Sequence, residues 1–371
     1  MQPLGLYVHI PFCARKCAYC DFASWAGRQD AMRPYADALC EEIARRAALC
    51  GHPAADTVFF GGGTPSTLPP DIYLQIARTL RREFALAPDA EWTVECNPGT
   101  LTAPFVQALA QSGCNRLSMG MQAAQPRLLA RLNRIHTLAD VQTSVALARA
   151  AGIDNLNLDL MLGLPGQTPQ DMADTLDAAL ALGPDHLSCY ALILEEGTPL
   201  ADSVARGEIT LPGDEADRAL YALCRDTLAA RGYAQYEISN FARPGRECRH
   251  NVNCWRREDY LGFGCAAHSL WRNQRTANPA SLDDYLAGAA PEREIITPED
   301  AMFESVMLGL RLTRGIEEAD FLRRHGRALW DVYGDRLQPA IDDGRLCRRA
   351  GRVYLTPRGM DVMNSVLVAL L

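Results

Sequence analysis

Six short β-rich runs, each but the last followed by a helical stretch, fill the first two hundred residues and constrain the fold more than any other feature. "LYVHI" (6–10), "TVFF" (57–60), "EWTVEC" (91–96), "NRLSMGMQ" (115–122), "NLNLDLML" (155–162) and "HLSCYALI" (186–193) read as strands. Helical patterns such as "YADALCEEIARRAAL" and "IYLQIARTLRREF" lie between them. Neighbouring parallel strands need a long crossover, normally a helix and right-handed, so this rhythm implies a parallel sheet covered by helices. Six units fall short of the eight that close a full barrel. The expected fold is α/β, a partial, TIM-like (βα)6 barrel over residues 1–205.

The rhythm then changes. Residues 206–290 read as a connecting region: an amphipathic helix in "LPGDEADRALYALCRDTLAARGY", one strand in "QYEISNFA", and a loop rich in His, Asn and aromatic residues over 244–278. Residues 291–371 read as a winged-helix-like α+β module, with a strand pair turning at "RAGR" and a helix after Pro357. The apolar ending "VLVALL" is expected to pack into a core. Winged helices often bind DNA, but a net charge of −8 sets the chain against nucleic acid, which basic surfaces attract. No apolar run reaches the roughly 18 residues of a membrane span, and the start lacks the basic and apolar regions of a signal peptide. A cytoplasmic protein without an integral membrane segment is expected.

The 13 cysteines fit that placement, being odd in number and spread over a long chain. Cys40, Cys50, Cys114, Cys189, Cys224 and Cys347 read as buried bystanders. "HIPFCARKCAYCDF" (9–22) is different, with Cys13, Cys17 and Cys20 on one short polar loop. Zinc prefers four ligands, which three thiolates and His9 could supply. An iron–sulfur cubane accepts three protein thiolates and leaves one iron open to an outside ligand.

Polar chemistry gathers where the strands end, the edge at which parallel α/β folds bind ligands. The cysteine loop follows the first strand and "GGGTP" the second; Glu95, Gln122 and Asp159 lie on or after the third, fourth and fifth. "GGGT" matches neither a phosphate loop nor the dinucleotide fingerprint. Taken singly, Glu95 could form a salt bridge and Asp159 could cap a turn.

The C-x3-C-x2-C loop resembles that of the radical S-adenosylmethionine (SAM) superfamily. The resemblance implies a [4Fe–4S] cluster on Cys13, Cys17 and Cys20, with SAM as the missing fourth ligand, and makes the barrel a radical SAM barrel. "YVHIPFCARKCAYCDF", "GGGTPS", "VECNPGT", "RLSMGMQ", "LNRIH", "LNLDLMLGLPGQT", "HNVNCW" and "YLGFGCAAHS" resemble, in order and over nearly the whole chain, the oxygen-independent coproporphyrinogen III oxidase-like family. By motif, the resemblance assigns SAM contacts to Tyr7, Gly62, Gly63, Thr64, Glu95, Gln122, Arg134 and Asp159, with Phe22 bordering the pocket.

That family includes true oxidases, whose cluster loop carries a further cysteine where this chain has Phe22, and haem chaperones with a short N-terminus and an H-N-x-x-Y-W motif. The chaperone branch is the closer resemblance. It implies haem as ligand, an acceptor haemoprotein as partner, a closed or homodimeric form for transfer, and His250 as axial ligand; a loop histidine bonded to backbone is the plain alternative. Here the motif reads "HNVNCW", with Cys254 in the tyrosine's place, and His268 is a second candidate ligand. Coproporphyrinogen III oxidase and a radical SAM methyltransferase of the related class remain as other readings.

Overall fold

The computed structural model describes residues 4–370. At its centre are six parallel strands in chain order: β1 (Gly5–Ile10), β2 (Ala54–Gly62), β3 (Ala85–Cys96), β4 (Arg116–Gln122), β5 (Asn155–Leu162) and β6 (His186–Ala191). Each coincides with one expected from sequence. The crossovers carry α1 (Met32–Cys50), α2 (Pro70–Glu83), α3 (Ala103–Ser112), α4 (Leu138–Ala150) and α5 (Pro169–Ala181). Reciprocal capping boxes, Thr137 with Asp140 and Thr168 with Asp171, start α4 and α5.

Strand periodicity sorts side chains between two faces. Leu6, Val8, Ile10, Val58, Phe60, Leu117, Met119, Leu156 and Leu158 pack in one large core with Tyr35, Ile76 and Leu109 of the helices. The alternate residues meet one another inside the curved sheet: Tyr7 and His9, Thr57 and Phe59, Glu91 and Glu95, Arg116 and Ser118, Asn157 and Asp159, His186 and Ser188. A polar inner face on an otherwise apolar parallel sheet is a departure from the usual continuous hydrophobic run, and marks the inside as a site.

Further strands extend both edges. β7 (Ala234–Gln235) and β8 (Asn240–Ala242) form an antiparallel pair beside β6. "QYEISNFA" is therefore a hairpin rather than one strand. Buried Glu237 accepts the Ser239 amide at 2.7 Å and Asn240 Nδ2 at 2.6 Å, fixing the reversal. β9 (Tyr260–Phe263) pairs parallel with β1, and β10 (His268–Trp271), β11 (Gln274–Ala277) and β12 (Glu292–Ile295) continue antiparallel. The whole order is β12-β11-β10-β9-β1-β2-β3-β4-β5-β6-β8-β7, an open sheet.

The expected loop over 244–278 is thus largely ordered. It holds α7 (Arg249–Trp255), which follows α6 (Asp214–Ala230), as well as β9 to β11. Seven residues are too few to hold a helix by propensity, and tertiary contacts supply what the local signal lacks.

The C-terminal module has its own apolar cluster, including Val306, Phe321, Leu337, Val353 and Val366. β13 (Ile316–Glu317), β14 (Leu346–Arg349) and β15 (Arg352–Leu355) pair in the order β13-β15-β14, and the "RAGR" turn lies between β14 and β15 as expected. Ala350 and Gly351 both have positive φ, at 52° and 72°, as a tight hairpin turn requires. Of "VLVALL", Val366 and Leu370 are buried in that cluster; Leu371 lies outside the described residues. Among the described residues no helix is long and apolar enough to cross a membrane.

Candidate functional site

The cysteine loop is tied to the glycine turn beside it. Gly63 donates its amide to Ile10 O and Thr64 to Phe12 O, both at 2.8 Å, and Thr64 Oγ1 donates to Cys13 Sγ at 3.5 Å. A side chain at Gly63 would meet Phe12 O at 2.7 Å and Ile10 O at 2.8 Å; at Gly62, where φ is +105°, it would meet the His9 ring at 2.4 Å. Glycine is required at both for this close approach. Lys16 Nζ donates to Phe22 O at 3.0 Å, and the Ala18 amide to Leu132 O at 3.1 Å, anchoring the far side of the loop.

The three thiols are not placed around a single ion. All three are partly exposed on the same loop. Among the described residues no three His, Cys, Asp or Glu side chains converge on one point as a single ion needs. His9 cannot supply the fourth zinc ligand as placed, because its Nδ1 bonds Tyr7 Oη at 3.0 Å and its Nε2 bonds Ala23 O at 2.8 Å.

A cavity of about 440 Å³ opens inside the barrel beside this loop. Tyr7, Phe22, Gly62, Glu95 and His250 line it, brought together from five separate stretches of sequence, and His9, Ala23, Cys254, Tyr260, Ala266 and His268 complete it. Phe22 is 62% exposed at its rim. Glu95 Oε2 accepts the Gly62 amide at 3.2 Å. Burial, helped by the nearby Asp159 carboxylate, pushes Glu95 up to about 8, so a cationic ligand would be needed to hold it ionised near neutrality.

Gly63, Thr64, Gln122, Arg134 and Asp159 do not line this cavity. Asp159 accepts Ser118 Oγ at 3.3 Å and Asn157 Nδ2 at 2.7 Å, and burial raises its pKa. Gln122 is buried at a bulge where β4 slips register against β5, with φ of 62°. Arg134 lies outside the main cavity, in a crevice with Cys17. Its guanidinium donates to Asn97 Oδ1 at 2.6 Å and Tyr19 Oη at 2.8 Å, while its buried Nε has no partner. Asn97 also donates to Thr64 Oγ1 at 2.9 Å. Tyr19 and Asn97 are functional candidates that motif reading passes over. The available signals are their positions, one between two cluster cysteines and the other two residues after Glu95.

His250 is neither on a loop nor on the surface. It is the second residue of α7, 6% exposed, with Nδ1 bonded to Thr57 Oγ1 at 2.9 Å and its ring stacked on Phe59 at 5.2 Å. Burial, with Arg116 adding to it, pushes its pKa down to about 4, leaving a neutral imidazole. Thr57 takes Nδ1, and no side chain among the described residues bonds Nε2. Cys254 follows one turn later on the same face, and burial pushes its thiol up to about 12, so it stays protonated. Glu91 holds the helix: its carboxylate accepts the amides of Arg249 at 2.8 Å and His250 at 3.0 Å.

Comparison with known proteins follows the same lines. Residues 7–179 match the radical SAM superfamily and residues 296–362 the HemN C-terminal domain. The chain is 36% identical to the haem chaperone HemW of Bacillus subtilis, covering 98% of each chain. It is 37% identical to HemW of Mycobacterium tuberculosis, over 100% of this chain and 95% of that one. HemW of Escherichia coli is 34% identical over 99% and 98%. Among solved structures, coproporphyrinogen III oxidase (HemN) from Escherichia coli, described as a radical SAM enzyme, superposes with a TM-score of 0.86 at 26% identity, over 100% of this chain and 90% of that one.

Proposed function

The chain belongs to the HemW family of radical SAM proteins, and from that premise we propose that it binds haem and delivers it to an acceptor haemoprotein. The observation that carries this reading is the shared cavity: Tyr7, Gly62 and Glu95, three of the residues matched to SAM contact, and the face of α7 bearing His250 line one space. A neutral imidazole with Nε2 free of side-chain partners is the form that ligates haem iron. Thr57, bonded to Nδ1, orients the ring and selects that nitrogen.

Cys13, Cys17 and Cys20 would hold the [4Fe–4S] cluster, which supplies an iron open to the amine and carboxylate of SAM. The chain's own contribution is shape and charge. Gly62 and Gly63 leave the backbone bare for close approach, and Thr64 bonds the Cys13 sulfur. Glu95 and Asp159 offer half-buried carboxylates that suit a cationic ligand, while Arg134 braces the cluster loop through Tyr19 and Asn97. Tyr7 and Phe22 bound the space from β1 and the rim. The protein acts in the cytoplasm, as a homodimer during transfer.

Haem titration followed by transfer to an apo-acceptor tests the proposal. Wild type is expected to develop a Soret band and to give haem up, and His250→Ala to lose affinity and shift the band. An unchanged spectrum and affinity in His250→Ala removes it as ligand. Coproporphyrinogen III-dependent formation of 5′-deoxyadenosine would replace the chaperone reading with oxidase activity, and a methylated product would replace it with methyl transfer.

A further inference from the structure

We propose that the Asp159 carboxylate and the haem helix α7 are coupled by a buried hydrogen-bonded chain, Asp159–Asn157–His186–Tyr236–Cys248, so that SAM occupancy changes haem affinity. The inference rests on the SAM and haem reading above and adds to it a regulation of that site.

The direction of every link follows from donor chemistry. The backbone amide of Cys248, at the N-terminal cap of α7, can only donate, so Tyr236 Oη accepts it, at 3.4 Å. The tyrosine's single proton then goes to His186 Nε2, at 2.8 Å. Burial, reinforced by Arg116, keeps His186 neutral, which leaves its one proton on Nδ1 for Asn157 Oδ1, at 2.6 Å. The Asn157 amide is thereby oriented with Nδ2 toward Asp159 Oδ1 and Ser118 Oγ, each at 2.7 Å. Ser118 closes the chain by donating to Asp159 Oδ2 at 3.3 Å. His186, Asn157, Ser118 and Cys248 are buried, and Asp159 is half-buried.

Strand register explains why the chain exists. Asn157 is paired with His186, and Asp159 with Ser188, across β5 and β6. Polar residues two apart on one strand therefore sit beside polar residues on the next. Arg116 supplies a second connection, since its buried guanidinium lies near both the Glu91 and the Asp159 carboxyl groups. A ligand that occupies the lone pairs of Asp159 weakens its acceptance from Asn157 and Ser118. Because linked hydrogen bonds polarise one another, the change reaches the cap of the helix that carries His250. The coupling must be reciprocal.

The test uses full-length, cluster-loaded protein, with haem titrated at the Soret band with and without saturating SAM. SAM is expected to change the wild-type haem Kd about fivefold, the lower end of the usual range for coupled sites. Haem should shift the SAM Kd by the same factor. Tyr236→Phe removes the hydroxyl that links Cys248 to His186; it should bring the ratio near one while each ligand still binds alone. Asn157→Ala breaks the chain elsewhere and replaces Tyr236→Phe if that variant fails to keep its cluster. A wild-type ratio of one with both ligands bound, or an unchanged ratio in the variants, overturns the coupling. Absence of haem binding by wild type overturns the functional reading itself.

Discussion

Glu91 is the main hold on helix α7, and its removal has a calculable effect. The amides of Arg249 and His250 belong to the first turn of α7, where no intrahelical carbonyl is available. Glu91, only 6% exposed, accepts one with each oxygen, and the capping residue Cys248 offers no side-chain bond of its own to the helix. Hydrogen bonds to a charged group contribute roughly 1.5–3 kcal/mol each. Two of them at the lower value make about 3 kcal/mol, and since 1.4 kcal/mol is a factor of ten, local opening should become roughly a hundredfold more frequent in Glu91→Ala. Glu91→Gln keeps one acceptor oxygen and turns an amide NH2 donor toward the other N–H, so its effect should be about half as large in free energy. Native-state hydrogen exchange at Arg249 and His250 measures this directly. Haem affinity should fall in the same order, wild type, Gln, Ala. Unchanged protection of both amides in Glu91→Ala would refute the claim that this carboxylate holds the helix.

Other consequences are equally specific. Glu95 ionises near 4.5 in an unfolded chain but holds its proton to about 8 when folded, so the ligand-free protein should lose stability as pH rises across that window. Glu95→Gln should flatten this dependence in thermal melts at pH 5 and 8.5, and equal slopes would contradict it. Gly63→Ala forces a methyl group against Phe12 O and Ile10 O. Such overpacking typically costs about 1–3 kcal/mol, and here the displaced backbone is the cluster loop, so iron and sulfide content after reconstitution should drop. Glu304 bonds both Arg257, at 2.7 Å, and Arg275, at 2.5 Å, between the C-terminal module and the sheet. Glu304→Ala leaves Arg257 without its anion, while the more exposed Arg275 keeps Glu294, so the loss should be about 1–3 kcal/mol. Limited proteolysis should then release the module more readily.

Much of the inner wall is legible in the alternation of residue types along each strand. In "NLNLDLML" and "RLSMGMQ" apolar residues alternate with polar ones, and period two places each set on its own face. Asp159, Gln122 and Glu95 are found by their places at or near strand ends, as are the cysteine and glycine loops by their position after β1 and β2. Arg134 is identified by motif, but its bracing through Asn97 and Tyr19 depends on loops from three parts of the chain. The stretch from 244 to 278 is misread as a loop because its helix and strands are four to seven residues long. Segments that short are held by Glu91, by Asp56, which Asn253 Nδ2 reaches at 3.2 Å, and by the β1 edge, not by their own propensity.

By itself the sequence determined the six strands, the polar residues at or beyond their ends, and the gathering of three cysteines on one short loop, since all of these follow from spacing along a single chain. Only the tertiary structure decided that His250 points into the space bounded by Tyr7 and Glu95. Its partner Thr57 lies 193 residues away, and such a contact exists only after β9 pairs with β1 and packs α7 against the sheet.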